Sequence, residues 1–320
     1  MTRQEIAGPF GAAGNWYRGC LHSHTTESDG SAPPERLVEH YRRGGYDFLV
    51  LADHDKLTDR SGLSTPDFLV LRGTELAVGR TELGERFHVV GIGVREPIGT
   101  GAAGAMTAAD AIAEIRRLGG EAIVAHPYWS GLTSADLLAL SDLLAIEVFN
   151  TTCQASIGRG NSQYVWDELL TRGRLVRAVA TDDCHRPGFD SRRAWTMVRA
   201  PELSPVAILD ALRRGHFYAS TGPEIHSVVL RGDVVEVECS PVQAVELICD
   251  PTRGSRLEAG TNSDAVGAVR RRGGHLPEGV VDGGLVTGAT FELRREPRYA
   301  RVQVVDSAGR MAWTNPIFVG

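Results

Sequence analysis

The segment from Gly19 to Gly30 reads GCLHSHTTESDG, and it decides how the first two-thirds of the chain folds. A short strand-like run ends in two histidines, His22 and His24, and Asp29 follows in the next loop. Side chains two positions apart on a strand point to the same side, so both imidazoles can reach one ion. A histidine at a buried strand end is costly unless it is paired or bound to metal. The segment therefore predicts a strand that delivers metal ligands.

The same design recurs along the chain, where apolar runs end in the motifs ADHD, GTE, FHVV, AHP and TDDCH between residues 52 and 185. The predicted metal ligands are His22, His24, Asp29, His54, Glu75, His88, His126, Asp183 and His185. Imidazoles and carboxylates without thiolates suit Zn, Mn or Fe, and a carboxylate such as Glu75 can bridge two ions. Six histidines in this company predict a site for more than one ion.

Strand and helix signals alternate from about residue 16 to 220, which predicts βα units around a parallel sheet in an α/β fold. In such a fold the carboxyl ends of the strands meet at one face, where loops carry the chemistry. After residue 223 the pattern changes to period two, which predicts a small antiparallel β-domain. The predicted domains are 1–222 and 223–320, and residues 251–289, rich in Gly and Arg, are expected to form long loops.

Composition narrows the classes of partner. The formal net charge is −6 and no basic stripe is present, which disfavours nucleic acid as a partner. No apolar run is long enough to span a membrane, and the N-terminus lacks the apolar core of a signal peptide. Cysteines form no CxxC pair, so we expect reduced thiols in a cytoplasmic protein. With nucleic acid and membrane disfavoured, the expected partner is a small molecule. Cys20 and Cys184 flank metal motifs, and we expect both to fill space rather than bind metal.

Taken together, the HxH and SDG opening, the DHD strand end, the GTE, the AHP and the closing D-x-H resemble the PHP (polymerase and histidinol phosphatase) family across about residues 16–222. The resemblance implies a distorted (β/α)7 TIM-like barrel with two to three divalent ions, usually Mn, Fe or Zn. It implies a first ion on His22, His24, Glu75 and Asp183, a second on Asp29, His54 and His185, and a third on Glu75, His88 and His126. The D-x-H spacing selects Asp183 and leaves Asp182 to cap or support its neighbours.

The C-terminal part resembles the CehA/McbA-type subgroup of PHP metallohydrolases, at residues 219–223 and 312–319. The expected function is a metal-dependent hydrolase, first a phosphoesterase that cleaves a small phosphate mono- or diester with a metal-activated hydroxide. The alternative is an amide, carbamate or ester hydrolase at the same centre, because that subgroup includes hydrolases of carbamate or amide bonds. A binding module with a relict site is disfavoured because all nine family ligand positions are filled.

Four cations in loops after strand ends are candidates for binding a phosphorylated substrate: Lys56, Arg159, Arg186 and Arg193. Each alone is also typical of a solvated surface charge. Asn150 follows a strand and is expected at the catalytic face, and Tyr128 and Trp129 follow the AHP motif, where they could stack on a ring. No residue is identified as the proton donor to the leaving group.

Overall fold

The structure is a computed structural model that describes residues 4–6, 8–101, 105–260, 266–268, 278–293 and 297–317. The chain divides into two compact units, Ala13–Gly215 and a second unit of Met1–Ala12 with His216–Gly320, to which strand β1 (Gln4–Ile6) belongs. A mixed α/β fold with a large, mostly parallel sheet and a separate antiparallel sheet is confirmed. The boundary expected after residue 222, between the two predicted domains, stays a prediction. Within the described ranges, no helix is long and apolar enough to cross a membrane.

The Ala13–Gly215 unit alternates strands and helices, as βα units require. Its strands are β2 (Asn15–Cys20), β3 (Phe48–Leu51), β4 (Leu69–Val78), β5 (Phe87–Ile92), β6 (Glu121–Val124), β7 (Ala145–Asn150), β8 (Arg177–Thr181) and β9 (Trp195–Ala200). Its helices are α1 (Pro34–Arg43), α2 (Ala108–Arg117), α3 (Ser134–Leu138), α4 (Thr151–Ile157), α5 (Gln163–Thr171) and α6 (Pro205–Arg214). Short 3-10 turns lie at Gly8–Gly11, in the second unit, and at Ser61–Leu63.

Local sequence explains where these elements begin. Helix α2 begins after Thr107, whose hydroxyl accepts the backbone N–H of Asp110 in a capping box. Pro34 opens α1 and Pro205 opens α6, since proline has no N–H to leave unpaired in a first turn. Every residue of β3 is buried, which is typical of a parallel strand covered on both faces.

The sheet of this unit runs in the order β9-β2-β3-β4-β5-β6-β7-β8. The pairs β2/β3, β3/β4, β6/β7 and β7/β8 are parallel, and β2/β9, β4/β5 and β5/β6 are antiparallel. The parallel sheet expected from the sequence is therefore interrupted by antiparallel pairs at β5 and β9. Residues 79–86, which connect β4 to β5, are too few for a crossover helix, so the chain returns as a hairpin.

The second unit is antiparallel. Its strands after β1 are β10 (Phe217–Ser220), β11 (Ile225–Arg231), β12 (Val234–Val242), β13 (Ala244–Ile248), β14 (Gly254–Ala259), β15 (Val266–Ala268), β16 (Glu278–Asp282), β17 (Leu285–Glu292), β18 (Arg301–Val305) and β19 (Met311–Thr314). They form the orders β1-β11-β12-β17-β16 and β15-β14-β13-β18-β19-β10. The long loops expected over 251–289 are thus wrong where β14 to β17 lie, because alternating Leu257 and Ala259 are buried in β14. Residues 261–265 and 269–277 of that stretch lie outside the described residues.

Candidate metal centre

The two histidines of the opening motif lie just after β2 and are buried. Their Nε2 atoms are 3.0 Å apart, and each lies 3.2 Å from Glu75 Oε2. Asp183 Oδ1, after β8, is 3.3 Å from His22 Nε2 and 3.0 Å from His24 Nε2. Four ligand atoms, from the segments after β2 and β8 and from Glu75 within β4, therefore converge within 4.8 Å of one another.

A second group lies beside the first and is more exposed. Asp29 Oδ2 is 3.5 Å from His54 Nε2 and 3.4 Å from His185 Nε2. His24 contributes its other nitrogen, Nδ1, 3.7 Å from Asp29 Oδ1. Ligand atoms of these four residues also fit within 4.8 Å, so His24 is shared between the two groups.

Glu75 joins a third group through both of its oxygens. Its Oε2 is 3.0 Å from His54 Nδ1, and its Oε1 is 2.9 Å from His88 Nδ1 and 3.3 Å from His126 Nε2. The compact third group contains His54, Glu75 and His88. All nine predicted ligands thus surround one centre, which we call the histidine cluster. Their assignment to individual ions stays a prediction.

The histidine cluster has buried acceptors that hydrogen bonding does not satisfy. Glu75 Oε2 and Asp183 Oδ1 accept no hydrogen bond of good geometry from any described residue. A buried carboxylate oxygen without a donor costs free energy, and a cation supplies what is missing. Imidazole nitrogens and carboxylate oxygens are also the donor set of Zn, Mn and Fe sites. The residues present therefore fit divalent metal ions.

Electrostatics in the cluster point the same way. Burial by itself lowers the pKa of His22, but the surrounding carboxylates, Asp183 first, raise it by more, to well above its ordinary value. The pKa of His24 rises to about 9, because the nearby carboxylates of Asp183 and Glu75 raise it by more than burial lowers it. Burial would raise the pKa of Glu75, yet the neighbouring histidines hold it well below its usual range. These carboxylates stabilise positive charge, so a metal cation would bind there by displacing protons.

Outer partners fix how the histidine rings point. Glu147 Oε1 lies 2.7 Å from His22 Nδ1, which places the proton on Nδ1 and turns Nε2 toward the cluster. Glu147 Oε2 also accepts the backbone N–H of His126 (2.8 Å) and the Nδ2–H of Asn150 (2.8 Å). The imidazole of His185 donates from Nδ1 to the Asp183 carbonyl oxygen, 2.8 Å away, so its Nε2 faces Asp29.

Sequence reasoning missed the role of Glu147. The signal was present, since Glu147 is the one charged residue in the otherwise apolar run AIEVF before Asn150. Asn150 was expected at the catalytic face, and its Nδ2 lies 3.1 Å from Asp183 Oδ2. Two ligands of the cluster, His126 (φ 30°) and Asp183 (φ 54°), adopt the left-handed region without being glycine, which strains the backbone there.

Asp182 points away from the cluster into a set of donors that we call the Asp182 network. Its carboxylate accepts the hydroxyls of Tyr41 (2.9 Å) and Thr151 (2.7 Å). It also accepts the backbone N–H groups of 192–194, at 2.6, 3.0 and 3.0 Å. Burial still raises the pKa of Asp182 to about 6. Asp182 thus anchors the loop after His185, while its neighbour Asp183 faces the histidines.

The flanking cysteines contribute packing. The Cys20 thiol lies 3.1 Å from the carbonyl oxygen of His22, and burial raises its pKa to about 11. Burial also raises the pKa of Cys184. A thiol that stays protonated is a poor metal ligand. Neither cysteine is among the residues grouped around a shared ion position in the described part of the chain.

A cavity of about 480 Å³ opens onto the cluster. Seven of the nine predicted ligands line it, and His22 and His24 lie buried beneath. Trp129 and Phe189 supply aromatic walls, and the Trp129 ring stands edge-on to His126 with 4.9 Å between ring centres. The site is therefore an acidic and imidazole floor with a partly aromatic rim.

The four cations predicted to bind substrate are placed differently. Arg186 is the one of them found among the described residues that line the cavity. Lys56 forms an ion pair with Glu27. The Arg159 guanidinium lies 5.6 Å from the centre of the Tyr128 ring. Arg193 is exposed, and its backbone N–H belongs to the Asp182 network. The geometry thus favours Arg186 as the substrate contact.

Comparison with known proteins bears on the fold. No protein-family model and no curated protein matches the chain. Among solved structures, the chain is similar to a two-domain protein from Bacteroides vulgatus that contains a predicted PHP-like metal-dependent phosphoesterase. The likeness covers 99% of each chain at 17% identity, with a TM-score of 0.52. The resemblance to the PHP family is thereby confirmed at the level of the fold.

Two further solved structures match about half of the chain. One is an amidohydrolase from Chromobacterium violaceum, with 18% identity and a TM-score of 0.41 over 54% of this chain and 89% of that one. The other is a proposed metal-dependent phosphoesterase from Bifidobacterium adolescentis, with 18% identity and a TM-score of 0.40 over 53% of this chain and 88% of that one. These scores are too low to support an inference.

Proposed function

We propose that the chain is a metal-dependent hydrolase of the PHP type, and that it acts as a phosphoesterase on a small phosphate mono- or diester. The observation that carries the proposal is the pair of buried oxygens, Glu75 Oε2 and Asp183 Oδ1, which face imidazole nitrogens at 3.0–3.3 Å and accept no hydrogen bond from any described residue. A structural cluster would satisfy such oxygens. The proposed architecture is the distorted (β/α)7 barrel, with residues after 222 as an accessory domain.

The nine residues of the histidine cluster are proposed to hold two to three ions of Mn, Fe or Zn. The first would lie among His22, His24, Glu75 and Asp183, the second among Asp29, His54 and His185, and a third among Glu75, His88 and His126. Ions bound there lower the pKa of water and offset negative charge that develops on the substrate. Glu75 contacts residues of all three sets, so it is proposed as the shared ligand.

The protein's own groups prepare the site for this chemistry. Glu147 and the Asp183 carbonyl hold protons on the Nδ1 atoms of His22 and His185, which keeps both Nε2 atoms free as lone-pair donors. Arg186, at the cavity wall, is proposed to pair with a phosphoryl oxygen of the substrate. Trp129 and Phe189 narrow the opening and exclude water from one side of a bound leaving group.

The second candidate is hydrolysis of an amide, carbamate or ester bond at the same centre. Two aromatic residues and one of the four candidate cations line the cavity, and this rim suits a weakly charged aromatic substrate. The resemblance of residues 219–223 and 312–319 to CehA/McbA-type metallohydrolases supports the same reading. Both candidates require the same ions and differ in the bond that is cut.

One assay separates the candidates. The metal-depleted chain is reloaded with Mn²⁺, Zn²⁺ or Fe²⁺ and tested on p-nitrophenyl phosphate, bis(p-nitrophenyl) phosphate and 1-naphthyl methylcarbamate. The phosphoesterase proposal expects metal-dependent release of p-nitrophenol, with none from Glu75→Gln and wild-type rates from Asp67→Asn, an exposed control. Carbamate turnover without phosphate ester turnover would transfer the proposal to the second candidate. No turnover of any substrate under any metal would contradict both.

A further inference from the structure

A second cavity, of about 550 Å³, lies in the Ala13–Gly215 unit outside the histidine cluster. One wall is α1, and the other is the loop that follows His185. Its charged and polar lining consists of Arg36, Glu39, His40, Arg43 and Arg192, over an apolar floor of Ala32 and Pro187. None of the nine predicted metal ligands is among the described residues that line it. We call it the arginine cavity.

The charge balance of the arginine cavity is positive. Its single carboxylate, Glu39, is already used, because it accepts from Arg42 Nε at 2.9 Å and from Arg43 Nε at 2.5 Å. The guanidinium groups of Arg36 and Arg192 form no ion pair with any described residue. Two unpaired guanidinium groups in one concave site attract an anion, and they can bind a phosphate group with paired N–H donors.

The backbone and the Cδ atom of Arg192 are constrained, although its guanidinium is exposed. Its backbone N–H donates to Asp182 Oδ2 at 2.6 Å, and its φ of 58° lies in the left-handed region. Its Cδ atom packs against Gly44 so closely that a Cβ at Gly44 would meet it at 2.2 Å. A positioned arginine loses less conformational entropy when it binds an anion.

His40 adds a polar group to the same cavity. Its Nε2 lies 2.9 Å from Ser191 Oγ, which in turn accepts the backbone N–H of Gly188 at 2.8 Å. Partial burial, together with the nearby Arg192 charge, lowers the pKa of His40, so its ring is neutral near pH 7. The ring therefore offers hydrogen bonding without repelling the two arginines.

We propose that the arginine cavity binds a small phosphate-bearing anion between Arg36 and Arg192. This site is separate from the proposed hydrolytic centre and does not depend on it. An anion there bridges α1 and the loop after β8. Both walls adjoin His185, since Ser31 donates its N–H to the His185 carbonyl oxygen at 2.8 Å, and Asp190 accepts the His185 N–H at 3.1 Å. Occupancy therefore restrains the loop that carries a proposed metal ligand.

Isothermal titration of the metal-loaded chain with inorganic phosphate tests the proposal. The key variant is R36Q/R192Q, because glutamine keeps the Cδ atom that packs on Gly44 and removes the charge. R117Q/R214Q is the matched control, since it removes two exposed helical charges elsewhere. R186Q separates the arginine cavity from phosphate bound at the metal centre.

We expect R36Q/R192Q to weaken one class of phosphate site by about tenfold or more, which is the loss of at least one charge-assisted pair, and R117Q/R214Q to leave it unchanged. Phosphate should also slow amide hydrogen exchange over residues 185–192 in the wild type and in R186Q, but not in R36Q/R192Q. Equal phosphate affinity in wild type and R36Q/R192Q, or an equal loss in the charge-matched control, would overturn the proposal.

Discussion

Two buried polar regions adjoin in the Ala13–Gly215 unit, the Asp182 network and the histidine cluster. They differ in whether their carboxylate oxygens accept hydrogen bonds. In the Asp182 network, hydroxyl and backbone N–H donors fill both oxygens of one carboxylate. In the histidine cluster, Glu75 Oε2 and Asp183 Oδ1 are buried and accept no hydrogen bond from any described residue. Adjacent residues, Asp182 and Asp183, thus serve different purposes.

This difference distinguishes a buried carboxylate that stabilises the fold from one that is a candidate metal ligand. A satisfied carboxylate stabilises the backbone around it, as Asp182 does for the loop at 192–194. A buried carboxylate oxygen that accepts no hydrogen bond, and whose charge raises the pKa of the imidazoles around it, suits a cation. Substitutions in the two sets should therefore affect different properties of the protein.

The largest expected effect is on metal binding in Glu75→Gln. Removing the charge of the ligand shared by the groups should weaken divalent metal binding by well over about a hundredfold, beyond the range that outer partners produce. Competition with a chromophoric chelator measures the affinity for Zn²⁺ or Mn²⁺. Glu114→Gln, on the exposed face of α2, is the control and should bind metal as the wild type does. Retention of wild-type metal affinity by Glu75→Gln would contradict the proposed role of the histidine cluster as the metal site.

Much of this centre could be predicted from the sequence, because seven of the nine ligands follow the carboxyl ends of β2, β3, β6 and β8, whereas Glu75 lies within β4 and His88 near the start of antiparallel β5. The spacing of His22 and His24 on one side of a strand end requires no tertiary information. The antiparallel course of β5 and the strands within 251–289 were not predicted, although β4/β5 and β13/β14 are neighbours in sequence, because strand formation depends on packing against the paired strand more than on local sequence.

The partners of individual side chains were also beyond sequence reasoning. Glu147 was not recognised because its three donors come from distant loops as well as from its own strand. The sequence could not favour Arg186 over Lys56 or Arg159 as the substrate-binding cation, since the local sequence around each is typical of a solvated loop. Where a loop side chain points depends on packing that a single sequence does not display.

The second prediction concerns stability rather than metal. Asp182→Asn leaves several buried donors of the Asp182 network without a charged acceptor, so the free energy of unfolding should fall by about 3 kcal/mol. Urea denaturation of the metal-free chain measures it, and exposed Asp67→Asn should change stability by no more than about 0.5 kcal/mol. Weaker metal binding at unchanged stability would show that Asp182 belongs to the site instead.

A smaller effect is expected from Glu147→Gln, because Glu147 is not a predicted ligand but contacts one, His22. The amide still hydrogen-bonds but no longer carries the charge that holds the Nδ1 proton of His22. Metal affinity should fall by about tenfold to a hundredfold, as for other outer partners of metal-binding histidines. Chelator competition measures the loss. An effect as large as that of Glu75→Gln would mean that Glu147 itself is a ligand.

The smallest effect should come from Arg186→Gln at the cavity wall. For a phosphate ester substrate, KM should rise by about tenfold through the loss of one charge-assisted contact, with metal affinity unchanged. For a carbamate substrate the same variant should change KM little. Steady-state kinetics with both substrates measures the contrast, and equal changes for the two would remove Arg186 from the account of specificity.

Anomalous diffraction from crystals grown with Mn²⁺ or Zn²⁺ tests the central claim most directly, because it locates the ions themselves. We expect a strong anomalous peak about 2.0–2.3 Å from Glu75 Oε2, Asp183 Oδ1 and the Nε2 atoms of His22 and His24, with none in the Asp182 network. Well-ordered side chains at the histidine cluster with no anomalous peak at saturating metal would contradict it.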